Sequence, residues 1–169
     1  MVTVRPERPE DYDAARAVNE RAFGDGSPEG GLVDALRADA AHVPELCLVA
    51  VEGDAVVGHI LFSRARLASG HEVLALAPMA VLPERQRAGV GSRLVETALR
   101  GAAETDFPLV VVLGHPEYYP RFGFEPAAGY GVEAPWTVPP EAWMVLPLPA
   151  YEPEARGLVT YAQAFEAVV

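Results

Sequence analysis

Residues 76 to 100, LAPMAVLPERQRAGVGSRLVETALR, constrain this chain more than any other stretch. They read as a buried strand, a turn opened by Pro83, a basic glycine loop (Gln86-Arg87-Ala88-Gly89-Val90-Gly91) and a helix. The first four N–H groups of a helix have no intrahelical partner, and the helix dipole places partial positive charge at that end. Gly89 and Gly91 carry no Cβ, so a ligand can come close to the backbone there. Arg85, Arg87 and Arg93 add full positive charge. A strand that delivers such a loop to a helix N-terminus makes a site for phosphate oxygens.

Two nucleotide patterns fit this loop poorly. A P-loop needs G-x-x-x-x-G-K-[ST], and the chain has no Lys to reach a β- or γ-phosphate. A dinucleotide fingerprint needs G-x-G-x-x-G directly after a strand, whereas Leu94 stands where the third Gly belongs and Pro83 to Ala88 intervene.

The whole chain narrows the choice further. At 169 residues, half of them hydrophobic, it fits one domain over residues 1–169 with a sizeable core. No apolar run approaches the ~20 residues that span a bilayer, and Met1 to Arg5 leads straight into an acidic segment, so no signal peptide is expected. A single Cys, Cys47, excludes an internal disulfide framework and points to the cytoplasm. The net charge of −11 argues against nucleic acid and anionic membrane as partners, and it makes the basic loop conspicuous.

Along the chain, Val2 to Arg5 is a short strand, and Tyr12, Ala15, Val18 and Ala22 recur at helical spacing. Ser27-Pro28-Glu29 restarts a helix as cap, N1 and acidic N2, with Leu32, Val33 and Leu36 as its apolar stripe. From Leu46 the period becomes that of strands, with Gly53-Asp54 as a hairpin turn. Glu72 onward continues as a further strand into the loop; Pro78 cannot donate to a ladder, so a bulge or a splay belongs there. A helix over Val90 to Ala103, with the stripe Val90, Leu94, Ala98, Leu99 and Ala102, leads to the unbroken apolar strand Pro108 to Leu113. That strand suits the middle of a sheet and runs parallel to the previous one through the crossover. Later strands fall at 143–148 and 157–161.

The run Val81-Leu82-Pro83-Glu84-Arg85-Gln86-Arg87-Ala88-Gly89-Val90-Gly91 follows V-x-P-x-x-[QR]-x-x-G-x-G at every fixed position. It resembles the acyl-CoA-binding motif of the GNAT N-acetyltransferases. A second run, Tyr118-Tyr119-Pro120-Arg121-Phe122-Gly123-Phe124, resembles the family's Y-x-x-x-G-F segment. Together with Gly58 to Phe62 and Trp143 to Leu148 they resemble a bacterial YhbS-like subgroup over nearly the whole chain.

The resemblance implies an α/β GNAT fold: a mixed, mainly antiparallel sheet of about seven strands with a splayed central pair and helices on both faces. It implies acetyl-CoA as cosubstrate, with the pantetheine arm along Met79, Ala80 and Val81 and the diphosphate on backbone amides of Arg87, Ala88, Gly89, Val90, Gly91 and Ser92. It implies transfer to a primary amine by direct attack in a ternary complex, and it admits a homodimer. Tyr119 takes the position of the acid near the acyl-CoA sulfur. A phenol whose ordinary pKa is ~10 is protonated at neutral pH and can donate to sulfur. Packing alone is the competing reading of Tyr119, and Tyr118 is the neighbouring alternative.

The departures from the family pattern concern the base. Many members carry an Asn before the Tyr, where this chain has Gly114-His115-Pro116, and a Glu on the cofactor strand, where Leu74 to Val81 offers no carboxylate. His115, just past a strand end, is the first candidate for relaying the amine's proton, because imidazole exchanges protons near neutrality. A turn-capping histidine is the competing reading. Glu117, Glu72 and His59 are further candidates, with His59 reading better as a core residue between Val57 and Leu61. The four histidines are too scattered in sequence for a metal set, so no metal is expected. Cys47 lacks a neighbouring His in sequence and reads as a small core residue rather than a nucleophile.

The acceptor is not encoded in any motif. A small molecule is the first expectation; a protein N-terminus or lysine is the second, and an acyl-CoA-binding module without turnover the third. The segments Gly24 to Leu36 and Gly129 to Trp143 are expected to line its pocket. Phe23, Tyr130, Trp136 and Trp143 read equally as core or as pocket walls.

Overall fold

The change of period at Leu46 becomes a hairpin: β2 (His42–Glu52) turns at Gly53, φ +63°, into β3 (Ala55–Leu67). A φ in this region is strained for residues with a Cβ, and Gly accepts it. The computed structural model describes residues 1–24 and 26–168, so Asp25, within a segment expected to line the acceptor pocket, lies outside the described residues. The chain forms two units: Met1–Ser63, Ala77–Gly101 and the residues from Ala162 make the first, and Arg64–Leu76 with Ala102–Tyr161 the second.

In the first unit β1 (Val2–Pro6) pairs antiparallel with β2, Val2 opposite Glu52 and Pro6 opposite Leu48, and β2 pairs antiparallel with β3. The helices are α1 (Tyr12–Phe23), α2 (Pro28–Ala38) and α3 (Val90–Ala102). Pro28 opens α2 as expected and Leu32, Val33 and Leu36 are buried, but Ser27 holds the cap position without a side-chain capping bond. Consecutive residues of β3 reveal the two faces. His59 meets Asn19 of α1, whereas a Cβ at Gly58 would come within 2.9 Å of Leu94 and 3.1 Å of Val90 on α3. A strand sends successive side chains to opposite faces, so α1 and α3 cover opposite sides of β3. The bare backbone of Gly58 lets the first turns of α3 sit close. Val90, Leu94, Val95, Ala98 and Ala102 are buried; Val95 takes the place expected for Leu99, which is only half-buried. Complete burial of a Leu such as Leu94 stabilises by about 2 kcal/mol.

In the second unit the first part of β4 (Glu72–Val81) pairs parallel with β5 (Leu109–Leu113) at Leu74–Val110 and Ala75–Val111 only. This ladder ends before Pro78, where the sequence predicts a bulge or a splay. β5 pairs antiparallel with β8 (Trp143–Pro147), from Leu109–Pro147 to Leu113–Trp143, and β6 (Glu125–Pro126) adds to β8. β9 (Gly157–Thr160) pairs antiparallel with the end of β3 and parallel with β7 (Val132–Glu133). Alternate residues Val73, Ala75, Leu109, Val111, Trp143 and Val145 build the core of this unit. The sheet is mixed and mainly antiparallel, with nine strands among the described residues; the two-residue β6 and β7 carry too little pattern to be read from sequence.

Candidate active site

The basic loop lies where the sequence places it. β4 ends at Val81, a short 3-10 turn covers Pro83–Arg85, and α3 begins at Val90. Gln86 is tied back to the strand, its Nε2 donating to the Val81 carbonyl at 3.0 Å. Arg87 has φ +64° and Gly89 φ +84°. Left-handed residues alternating with ordinary ones turn successive N–H groups to one side, a concavity that suits anions. A Cβ on Gly89 would meet nothing within 4 Å, so the space in front of the loop is open. Arg87, Ala88 and Gly89 are exposed, Gly91 and Ser92 half-buried, and Val90 buried, so Val90 can offer a ligand only its backbone. On the strand, Met79 is half-buried while Ala80 and Val81 are buried.

The three arginines are not equivalent. Arg85 is held by Glu52 at 2.6 Å, and Arg93 donates to the Val2 carbonyl. Glu84, which could have screened the loop, is clamped by both terminal nitrogens of Arg21 at 2.8 Å. Arg87 alone of these has no ion-pair or hydrogen-bond partner among the described residues. Sequence spacing could not separate the three, because the partners of Arg85 and Arg93 come from β2 and β1.

In the second unit β5 runs into Gly114, His115 and the 3-10 turn Tyr119–Phe122, closed by Gly123 at φ +101°. The His115 carbonyl accepts from the N–H groups of Tyr118 at 3.1 Å and Tyr119 at 3.2 Å, so the residue does organise the turn, while its imidazole stays exposed. Tyr119 is buried, only 7 % exposed, edge-on to Tyr118 at 5.1 Å and to Phe124 at 5.6 Å. Its hydroxyl finds no hydrogen-bond partner among the described residues, unlike a tyrosine serving only as a tether. Burial, with a smaller contribution from Tyr118, pushes the phenol up to about 12. Phe124 is 2 % exposed and fills core.

The other base candidates separate clearly. Glu117 is exposed, and Glu72 is exposed with Arg66 at 4.0 Å. His59 is fully buried in a network that sequence reasoning missed. Its Nε2 lies 3.4 Å from Cys47 Sγ and 3.3 Å from Glu7 Oε1, and Cys47 Sγ lies 3.0 Å from Glu7 Oε2. Cys47 therefore does have a His beside it, brought there by the antiparallel β2–β3 pairing rather than by proximity in sequence. Glu7, Cys47 and His59 are also a grouping of the kind that holds metals, although no sequence spacing announces it.

The polar partners give this cluster another character. Asn19 Nδ2 donates to the Ala15 carbonyl at 2.9 Å and lies 3.1 Å from His59 Nδ1. A carbonyl only accepts, which fixes the amide orientation, makes Nδ1 the acceptor and leaves the ring proton on Nε2, facing Glu7. Arg37 holds both oxygens of Glu7 at 2.5 and 3.0 Å. Burial pushes the Glu7 carboxyl up, but hydrogen bonds from His59, Arg37 and Cys47 outweigh it and hold it well below the usual carboxylate range. Burial, reinforced by Glu7, drives the Cys47 thiol far above its ordinary value. A buried thiol held protonated is a poor nucleophile, and Arg37 already neutralises the carboxylate.

An open loop of amides at the start of α3, reached from a strand that parts from its neighbour at a proline, carries the first motif in three dimensions. The model of the acetyltransferase (GNAT) family matches residues 12–124, which includes both motifs. The chain belongs to the GNAT acetyltransferase family. It is thus an acyltransferase by family. It is 40% identical over 163 residues to the N-acetyltransferase YjhQ of Escherichia coli (strain K12), covering 92% of this chain and 90% of that one. It is 32% identical to the N-acetyltransferase YhbS of the same strain, covering 84% of each. The crystal structure of Escherichia coli YhbS in complex with CoA has a TM-score of 0.87 at 30% identity, covering 98% of this chain and 92% of that one. A GNAT acetyltransferase from Brucella melitensis in complex with acetyl-CoA has a TM-score of 0.80 at 34% identity, covering 98% of both chains. No helix among the described residues is long and apolar enough to cross a membrane.

Proposed function

We propose that this GNAT protein is a single-domain, acetyl-CoA-dependent N-acetyltransferase that acts on a small primary amine. The observation that carries the cofactor is the loop at 86–92: open in front of Gly89, with Arg87 unpaired in a chain of net charge −11. The relatives with CoA and acetyl-CoA bound support the same reading. The family model runs through residues of both units, which supports treating the chain as one domain.

Backbone N–H groups from 87 to 92 bind the diphosphate, and Met79, Ala80 and Val81 guide the pantetheine arm. The amine nitrogen attacks the thioester carbonyl carbon; an N–C bond forms, and the carbonyl electrons move to an oxyanion held by a backbone N–H near Met79 to Val81. As the C–S bond breaks, sulfur leaves with the electron pair. The proton lost by the nitrogen ends, through solvent or His115, on the thiol of CoA.

Tyr119 donates a hydrogen bond to the departing sulfur. A complete transfer from a phenol near 12 to a thiolate of ordinary pKa ~8.5 is uphill by about 5 kcal/mol. Its burial therefore favours stabilising the thiolate over protonating it outright, a narrower role than that of a full acid.

A concave depression of about 630 Å3 in the second unit, walled by Trp136 and Trp143 and open to solvent at its rim, has the size for a small acceptor and supports that class. Thiol release from acetyl-CoA, followed with a panel of amines and with Lys-containing peptides, tests the function. Turnover of small amines is expected; turnover of peptides alone would refute the acceptor class, and binding of acetyl-CoA without release on any amine would refute the reaction.

A further inference from the structure

The cavity in the second unit has a chemical asymmetry that the transfer reaction does not require. Its walls are mostly apolar: Val132, Val138, Trp136 and Trp143 line it. Trp143 spends its indole N–H on the Val132 carbonyl at 3.0 Å, and Trp136 packs on Tyr161 at 4.8 Å, so both offer apolar ring surface. Two charged residues of opposite sign complete the lining, Arg156 and Glu133.

Neither charge is neutralised by the protein. Among the described residues no ion pair involves the Arg156 guanidinium or the Glu133 carboxylate. Arg156 is nevertheless placed. Its Nε and Nη2 lie 3.2 Å from the point where a Gly131 Cβ would stand, a position left empty by a glycine at φ +68°. The flanking backbone is pinned, Arg156 N donating to Ser69 Oγ at 3.2 Å and Gly157 N to the Gly131 carbonyl at 2.8 Å. A guanidinium presents a planar fork that matches a carboxylate. In a chain of net charge −11, an unpaired, positioned Arg on an apolar wall is a selective feature for an anionic group.

The cavity also adjoins the segment with the proposed chemistry. Trp143 stands opposite Leu113 in the β5–β8 ladder, and Gly114 N donates to the Ala142 carbonyl at 3.0 Å. The wall of the cavity and the turn bearing His115 and Tyr119 are thus neighbouring ends of one strand pair.

We infer that this cavity is the acceptor subsite and that it selects a zwitterionic amine with an apolar or aromatic body, Arg156 taking the carboxylate and Glu133 disfavouring acids that lack the amine. This rests on the N-acetyltransferase reading above, but binding can be measured without transfer.

The chain contains two Trp residues, and both line the cavity, so intrinsic tryptophan emission reports it directly. The intact protein is titrated with L-phenylalanine, L-leucine and 4-(aminomethyl)benzoate, and with phenethylamine and 3-phenylpropanoate as controls that lack one charge. At least one zwitterion is expected to bind tenfold or more tighter than both controls. Arg156→Gln should erase its advantage over phenethylamine, Arg156→Lys should restore part of it, and Glu133→Gln should strengthen 3-phenylpropanoate. Equal binding of zwitterions and controls, or an unchanged preference in a folded Arg156→Gln, overturns the inference. Thiol release on the same panel separates the two readings: zwitterion binding without release refutes the transfer reaction while leaving the subsite intact.

Discussion

The Tyr119 ring lies on the bare backbone of Gly114: a Cβ there would come within 2.3 Å of Tyr119 Cε2. The glycine that ends β5 therefore sets the position of the phenol five residues later. Gly114→Ala is expected to push the ring away and to cost about 1–3 kcal/mol of stability through overpacking. Its kcat should fall by about 10–100-fold, as in Tyr119→Phe, the range for losing one hydrogen bond to a charged atom. Acetyl-CoA KM should be unchanged in both. Steady-state kinetics beside urea unfolding separates the catalytic loss from the folding loss.

The raised phenol has a consequence for pH. With Tyr119 held near 12, its proton remains through the ordinary assay range. The pH profile of kcat should show no alkaline fall below pH ~10 that disappears in Tyr119→Phe. An alkaline limb at pH 8–9 that vanishes in this variant would contradict the assignment.

The phosphate loop should depend on backbone more than on side chains. Gly89→Val places a β-branched residue at φ +84°, at a cost of about 1–3 kcal/mol, and narrows the approach to the amides. Acetyl-CoA affinity by calorimetry should fall about tenfold or more. Arg87→Ala should weaken it only about 2–5-fold, the scale of an exposed ionic contact, and reduce its salt dependence. Arg85→Ala should leave the salt dependence intact, because Glu52 already holds that guanidinium.

Cys47 should be inert. Its thiol is buried at 1% exposure and kept protonated by that burial and by Glu7. Iodoacetamide at pH 8 should modify the native protein about 10³-fold more slowly than a free thiol, or slower still, with modification following unfolding in urea. Rapid labelling of the folded protein would mean that the network around His59 opens readily.

Glu7 should govern part of the acid stability. Its folded pKa is depressed below the ordinary 4.5, so its contribution is present above about that pH and is lost as pH falls from there toward the folded value. Glu7→Gln leaves Arg37, whose side chain is only 8% exposed, with Asp34 at 2.8 Å as its remaining carboxylate, and should cost about 1–3 kcal/mol at pH 7. Below pH ~4.5 the variant's stability should fall less steeply than that of the wild type, as read from urea unfolding across pH 3–7.

The local patterns carried the elements and the two motifs. The hairpin at Gly53, the helix from Val90 and the loss of β4–β5 pairing before Pro78 each follow from backbone preferences of residues adjacent in sequence, and such preferences act locally. The apolar stripe of α3 was legible for the same reason, apart from the exchange of Leu99 for Val95, a matter of helix rotation against β3. Partnerships between distant residues were not legible. That Arg85 and Arg93 are occupied while Arg87 is unpaired depends on which carboxylates and carbonyls β1 and β2 bring near. The Glu7–Cys47–His59 network joins residues up to 52 positions apart through strand register. The cavity between Trp136, Trp143 and Arg156 exists only once β7, β8 and β9 have assembled. Sequence by itself determined the family and the loop proposed to grip phosphate, because both reside in one strand–loop–helix unit. Tertiary structure alone decided which charges remain available to a ligand, because a charge is neutralised by what folding places beside it.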